Sequence, residues 1–271
     1  SNTQEQAKAL EEKLGPSFVV YPVMRYWNPR AHEVIQRLDQ DISHVVLMPL
    51  YPQYSTTTTE SSYLEIRDLL KKYHFKGQVS FRCCYPLNTG WIQALTDLIR
   101  NALKSLPAGP YRLLFTAHGL PENVIKKGDP YQFQVESTVK AVVKNLGEVD
   151  WKLSYQSRVG PLKWIGPATE DEVVKAGTEG KGLVVVPIAF VSEHSETLVE
   201  LDKDYRDLAE SSHVPFYKRV STVSTHKAFI EGLRDLVMET MASDKTVSCP
   251  VGGCPSQFKK CGARFASFSY E

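Results

Sequence analysis

Two stretches decide the fold: Val45 to Ile66 reads VVLMPLYPQYSTTTTESSYLEI, and Leu183 to Asp202 reads LVVVPIAFVSEHSETLVELD. Each opens with an apolar, β-branched run interrupted by proline, turns polar, and then enters an amphipathic stretch. That is how a buried strand running into a helix reads. Aligned on their prolines, Pro49 falls on Pro187, Thr56 on His194 and Thr58 on Glu196. Any two strand-to-helix junctions share some of this pattern. If the echo is a true repeat, the chain holds two similar halves. Working outward, the same alternation recurs: Phe18 to Val23 then Arg30 to Leu38, Val45 to Leu50 then Ser61 to Lys72, Tyr111 to Phe115 then Gln134 to Asn145, and Leu183 to Phe190 then Ser195 to Leu208. Strands alternating with helices predict an α/β fold with parallel sheets covered on both faces. The expected architecture is two doubly wound, Rossmann-like halves facing a central cleft, at residues 1–105 and 106–240, with a cysteine-containing tail at 241–271. Ligands of such sheets sit beyond the carboxyl ends of the strands, where both polar segments fall.

The 271 residues, 42% of them hydrophobic, are enough to bury a sizeable core. A formal charge of +1, from 32 basic and 31 acidic residues, gives no whole-chain reason to bind nucleic acid or an anionic membrane. The opening SNTQEQAKALEEK is polar and helix-like, unlike an export signal, and no apolar run is long enough to span a bilayer. A cytoplasmic protein acting on a small molecule is expected. Five cysteines, an odd number, argue against a disulfide framework and fit a reducing compartment. No Walker pattern, G-x-G-x-x-G or G-x-S-x-G occurs, which removes the main support for kinase, nicotinamide-enzyme and hydrolase readings.

Chemistry-bearing residues cluster at strand ends. The strand Tyr111 to Phe115 runs directly into Thr116-Ala117-His118, which puts His118 at a strand's carboxyl end before Gly119 and Pro121, a suitable place for a base or metal ligand, although a lone histidine is more often a polar residue with a satisfied hydrogen bond. After the 183–190 run come Glu193, His194 and Glu196, and on an α-helix Glu196, Glu200 and Asp204 would form one acidic row. Such a row is either a solvated face or, if buried, a set of carboxylates that needs a cation. A Gly- and Pro-rich loop around Trp164 offers an aromatic wall for a flat apolar ligand, or a ring that folds back on the core. Met24-Arg25-Tyr26-Trp27 brings a cation beside two aromatics, so that Arg25 pairs either with a substrate carboxylate or with an acid of its own chain.

Taken together, LFTAHGLPENVIKKGDPY (114–131), SYQSRVGPLKWIGPATEDEV (154–173) and PIAFVSEHSETLVELDKDY (187–205), with MRYWNP (24–29) and MPLYPQYSTTTT (48–59) upstream, resemble the ferrochelatase family from about Gln6 to about Thr240. The resemblance implies a chelatase-type fold and insertion of Fe²⁺, as substrate, into protoporphyrin IX to form protohaem. It implies that His118 and Glu196 are the catalytic and metal-binding pair. His194, Glu200 and Asp204 would continue a metal or proton path, and Arg25, Tyr26 and Trp164 would line the porphyrin pocket. Where the family usually has aspartate before the second histidine, this chain has Glu193, and no catalytic role is assigned to it. The family's opening strand with an Asn-Leu-Gly-Gly-Pro-like motif, and the lip after it, are not found, so a truncated N-terminus is expected.

Some relatives hold a 2Fe-2S cluster with C-terminal cysteines. Cys249, Cys254 and Cys261 are the candidate ligands here, and the fourth would be Cys83 or Cys84, because the internal ligand aligns with Ala94. Zinc in the same cysteines, or no metal, are the alternatives. Rival functions are a chelatase acting on coproporphyrin or placing cobalt or nickel in a more polar ring, a porphyrin carrier without catalysis, and a plain α/β sugar or nucleotide binder. Oligomeric state and peripheral membrane contact are left open by the sequence.

Overall fold

The apolar runs that open both junctions become parallel strands, each in its own sheet. The computed structural model describes residues 2–39, 41–157, 160–250 and 253–264; the side chains of Glu196 and Arg264 lie outside the described set. In chain order the elements are α1 (Asn2–Leu14), α2 (Ala31–Ile35), β1 (His44–Leu47), a π-helical turn (Thr56–Glu60), α3 (Ser61–Lys72), β2 (Gln78–Arg82), α4 (Thr89–Leu103) and β3 (Tyr111–His118). There follow α5 (Glu122–Lys126), α6 (Tyr131–Leu146), β4 (Trp151–Gln156), α7 (Thr169–Thr178), β5 (Gly182–Pro187), a π-helix (Glu196–Asp204), α8 (Tyr205–Ser211), β6 (Tyr217–Arg219), α9 (Lys227–Ala242), β7 (Val247–Ser248) and a 3₁₀ turn (Gly262–Arg264). Contacts divide the chain into two units, one of residues 1–85, 127–131 and 230–271, the other of 86–126 and 132–229.

The first unit carries a parallel sheet in the order β1-β2-β7. Ala31 and Ile35 of α2 and Leu70 of α3 pack on Val79, while Tyr54, Tyr63 and Phe81 form a second apolar cluster with Cys83 and Cys84. Phe18 to Val23, expected as a strand, makes none. The Val20 N–H goes to the Glu11 carboxylate at 2.6 Å, so a side chain takes the place of a neighbouring strand. The β2–β7 register pairs Phe81 with Val247 and Arg82 with Ser248, which brings Cys83 beside Cys249. These two cysteines form a disulfide, with Cα atoms 5.6 Å apart, against the expectation from the odd cysteine count. The pairing follows from the register of two short strands far apart in sequence, which a cysteine count cannot convey.

The second unit is a four-stranded parallel sheet in the order β4-β3-β5-β6. Leu114, Leu183 and Val185 pack against Val173 and Ala176 of α7 and Tyr205 and Ala209 of α8. Val184 and Val186 point to the other face and are also fully buried, so both faces are covered, as a doubly wound sheet requires. The strand order reverses between β3 and β5. Crossovers lead from β3 to β4 on one side and from β5 to β6 on the other, and the carboxyl ends of β3 and β5 flank the crevice this reversal leaves.

These boundaries differ from 105, 240 and a separate tail. The buried face of α4 (Trp91, Ile92, Leu95, Ile99) packs with the second sheet, and Trp91 meets Phe229 at 5.7 Å between ring centroids. The tail returns to the first unit because β7 pairs with β2. Segment 127–131 joins the first unit through Asp129, which is fully buried. It accepts hydrogen bonds from Ser55 Oγ (3.0 Å), Thr56 N (2.8 Å) and Thr56 Oγ1 (2.8 Å), all on one carboxylate oxygen.

Candidate active site

His118 is the last residue of β3, half-buried at the carboxyl end of the strand beside the switch point. It is held by backbone on both sides. Gly119 N donates to Gln156 O at 2.8 Å, and Ile188 N donates to Thr116 O at 3.0 Å. The segment leaving His118 is tied to the loop bearing Trp164, through Ile165 N to Leu120 O at 3.0 Å and an antiparallel bridge between Pro121 and Trp164. His118 and Trp164 are thus brought to one edge of one sheet.

Below His118 lies a buried polar network that the sequence did not announce. Gln156, its register partner on β4, has no exposed surface. Its Oε1 accepts from Thr116 Oγ1 at 2.9 Å and its Nε2 donates to Glu200 Oε2 at 3.0 Å. Thr169 Oγ1 meets Thr116 Oγ1 and Ser154 Oγ, each at 3.0 Å. Glu200 also accepts from Ser157 N (2.9 Å), Ser157 Oγ (2.6 Å) and Tyr205 OH (2.9 Å). Ser157 sits at φ 59°, in the left-handed region that costs a non-glycine residue of order 1 kcal/mol or more, and both of its donors go to Glu200. Burial first, and then the charges of Glu200 and Glu170, push the Tyr205 phenol far above its ordinary range, so it stays a neutral donor. Gln156 and Ser157 stood in the sequence only as part of the loop segment that bears Trp164, and nothing there pointed to Glu200 as their partner.

The acidic segment is not an α-helix. It is π-helical from Glu196 to Asp204, and Tyr205 N donates to Glu200 O, an i→i+5 bond. The wider turn breaks the four-residue row. Glu200 turns inward to its four donors, whereas Asp204 is 57% exposed beside Lys203. His194 is half-buried, its ring 4.9 Å from that of Phe190, and its N–H and C=O both bond the Thr197 hydroxyl at 3.0 Å, fixing the start of the π-helix. The backbone of Glu196 opens that helix; its side chain lies outside the described set. Glu193 accepts from Arg219 Nη1 and Thr222 N, both at 2.9 Å, and this anchoring contact is what the structure gives the residue that replaces the family's aspartate.

Arg25 and Tyr26 belong to the first unit. Arg25 is paired with an acid of its own chain, Glu65, at 2.7 Å, with Ser61 Oγ at 3.1 Å, and lies 5.5 Å from the centre of the Tyr26 ring. Tyr26 and Trp27 are 78% and 75% exposed. Among the cysteines, Cys84 Sγ lies 3.4 Å from Cys83 Sγ, Cys261 is buried and Cys254 half-buried. With Cys83 and Cys249 joined to each other, the described residues hold no group of three or more His, Cys, Asp or Glu able to hold a metal, and Ala94 has no donor to offer.

Comparison with known proteins decides the family. The family profile described as Ferrochelatase matches residues 1–241. A ferrochelatase of Pelagibacter ubique is 47% identical over 269 residues, covering 96% of this chain and 78% of that protein. The chain belongs to the ferrochelatase family. Ferrochelatases of Caulobacter vibrioides and Rickettsia bellii are 45% and 43% identical, over 97% and 96% of this chain. Among solved structures, SirB from Bacillus subtilis with Fe³⁺ superposes with a TM-score of 0.62 at 16% identity, covering 89% of this chain and 90% of that one. CbiX, described as the terminal enzyme of siroheme biosynthesis in denitrifying bacteria, gives 0.56 at 12% identity, covering 89% and 91%. These two share the chelatase fold with this ferrochelatase-family chain. No helix among the described residues is long and apolar enough to cross a membrane.

Proposed function

We propose that the chain inserts Fe²⁺ into protoporphyrin IX in the cytoplasm, giving protohaem and two protons, with His118 and Glu196 as the principal pair. The observation that carries this reading is the placement of His118 at the end of β3, beside the switch point, with the segment that bears His194 and Glu196 leaving the adjacent strand β5. Metallation requires two pyrrole N–H protons to leave as the ion enters, with no change in oxidation state. A neutral imidazole at His118 offers a ring nitrogen that can accept such a proton. Glu196 supplies a carboxylate that neutralises charge on the arriving cation, and a sparse His/Glu pair releases Fe²⁺ more readily than a closed four-ligand cage.

Gln156, Thr116 and Glu200 serve this pair by holding the ends of β3 and β4 and the π-helix in one hydrogen-bonded frame. Glu200 is read here as an anchor, because four donors occupy its carboxylate; His194 and Asp204 are left as the candidate proton and metal path. Trp164, Arg25 and Tyr26 are assigned to the porphyrin, the ring by stacking and Arg25 by exchanging Glu65 for a propionate. No step is assigned to an iron–sulfur cluster.

The test is anaerobic incubation with Fe²⁺ and protoporphyrin IX, following loss of free-base fluorescence, with coproporphyrin as a competing substrate. The parent metallates protoporphyrin, whereas His118→Ala and Glu196→Gln bind it but metallate at least about a hundredfold more slowly. A parent that binds porphyrin and leaves it unmetallated overturns the enzymatic reading.

A further inference from the structure

The segment bearing His194 and Glu196 is bracketed by two carboxylates, Glu193 before it and Asp202 after it, and a single guanidinium holds both. Arg219, whose side chain is 12% exposed, donates Nε to Asp202 Oδ1 at 2.5 Å and Nη2 to Asp202 Oδ2 at 2.8 Å. Its Nη1 donates to Glu193 Oε1 at 2.9 Å and to Val220 O at 3.3 Å. Glu193 Oε1 accepts a second bond from Thr222 N at 2.9 Å. Arg219 ends β6, and β6 pairs with β5 from Leu183↔Tyr217 to Val185↔Arg219. The guanidinium is therefore referenced to the same strand whose carboxyl end releases the segment. Strand, loop, π-helix and Arg219 close a ring in which His194 and Glu196 are the residues between the two fastened points.

We propose that Arg219 is a positioning residue for metal insertion: by fastening Glu193 and Asp202 to the β5–β6 edge, it fixes where His194 and Glu196 stand relative to the end of β3. The inference rests on the ferrochelatase reading of the site. The planar fork is what the task requires. A guanidinium bonds one carboxylate through two parallel N–H groups and still has a third direction for another, whereas an ammonium is a point charge that cannot hold both with fixed geometry. Placement matters steeply at a reacting centre, where a shift of about 1 Å can cost about a hundredfold in rate.

The experiment uses the whole chain with Arg219→Lys, Arg219→Gln and Asp202→Asn. Three quantities are read: protoporphyrin affinity by fluorescence titration, kcat and the KM for Fe²⁺ in anaerobic metallation, and amide hydrogen exchange across 191–204. Arg219→Gln is expected to bind porphyrin within about twofold of the parent, to lose about 10- to 100-fold in kcat/KM for Fe²⁺, and to exchange faster across 193–204 only. Arg219→Lys recovers part of the rate. Asp202→Asn, which leaves the Glu193 pair in place, shows the same pattern at smaller size and stands in should Arg219→Gln not fold. Unchanged exchange across 193–204 overturns the proposal, as does a rate within about twofold of the parent, or a rate loss matched by equal losses of porphyrin affinity and global protection. A parent that does not metallate overturns the ferrochelatase reading instead, and the exchange arm still decides whether Arg219 fastens the segment.

Discussion

Glu200 offers the sharpest separation between a residue that carries protons or metal and one that holds the site together. Its two oxygens accept from Gln156 Nε2, Ser157 N, Ser157 Oγ and Tyr205 OH, at 2.6 to 3.0 Å. Gln156 is 0% exposed, so Glu200→Ala strands its amide where water cannot reach, whereas Tyr205 OH keeps Glu170 Oε1, 3.4 Å away, as an acceptor. A stranded donor costs about 1–3 kcal/mol, and losing bonds to a charged acceptor costs a similar amount, so a total loss of about 3–5 kcal/mol is expected. That is a large share of the roughly 5–15 kcal/mol that keeps a typical protein folded. Glu200→Gln is the informative partner. Oε1 of Glu200 takes the Ser157 backbone N–H, which cannot rotate away, and Oε2 takes the side-chain amide of Gln156. The Gln156 amide can turn over if Thr116 Oγ1 reverses and donates to Thr169, 3.0 Å away, so the amide is accommodated at about 1–2 kcal/mol. Urea denaturation with metallation kinetics on the same samples makes the measurement. An anchor gives a destabilised Glu200→Ala and a Glu200→Gln that keeps most of its activity. A Glu200→Ala as stable as the parent, or a stable but inactive Glu200→Gln, refutes the reasoning and returns Glu200 to the metal or proton path.

Asp129→Ala should destabilise the first unit by about 3–4 kcal/mol, because it removes the acceptor for Ser55, both donors of Thr56 and the Tyr131 N–H; chemical denaturation checks it. Burial raises the Glu193 pKa, but Thr222 N, Thr197 and Arg219 outweigh it and leave the carboxyl below its ordinary 4.5. A depressed folded value means that its stabilisation is complete above the unfolded pKa and is lost as pH falls through the folded one. Glu193→Gln should therefore melt below the parent at pH 7, with a gap that closes as pH drops below about 4.5. The Cys83–Cys249 disulfide, closing a separation of 166 residues, should be found by peptide mapping without reductant, and Cys83→Ser should lower stability by about 5 kcal/mol if chain entropy dominates. Peptides carrying both cysteines unpaired would contradict it.

What the sequence disclosed and what it hid follow from the range of the interactions concerned. Val45 to Leu50 and Leu183 to Phe190 were legible as strands because their apolar runs are local in sequence, although β1 is half-buried where β5 is fully buried, and α3 spans the Ser61 to Lys72 expected of it. His118 was legible because a strand end, a glycine and a proline are neighbours in sequence. Helix α4 was not assignable to a unit, since an amphipathic face says that a helix packs and not on which sheet. The polar frame around Glu200 is assembled from residues 116, 156, 157 and 205, and the clamp from 193, 202 and 219. None of these spacings carries a periodic signal. The π-helix was hidden for a different reason: Glu196, Glu200 and Asp204 fit an α-helical row, and only the donors around Glu200 favour the wider turn.

The echo between the two junctions gains meaning from that turn. Thr56 and Thr58 align with His194 and Glu196, and in both copies the helix after the strand opens π-helically, at Thr56–Glu60 and at Glu196–Asp204. A shared local distortion at matching points of two parallel sheets is more than composition would give by chance, and it separates scaffold from chemistry. In the first copy the turn supplies donors, and the buried Asp129 takes both hydrogen-bonding groups of Thr56. In the second copy the polarity is reversed: the π-helix supplies the acids, Glu200 to Gln156, Ser157 and Tyr205, and Asp202 to Arg219. One backbone device is thus anchored by an acid from outside in one unit and by its own acids in the other. Only the second leaves a histidine and a glutamate at the two echo positions, which is why the proposed pair of His118 and Glu196 falls in the second unit.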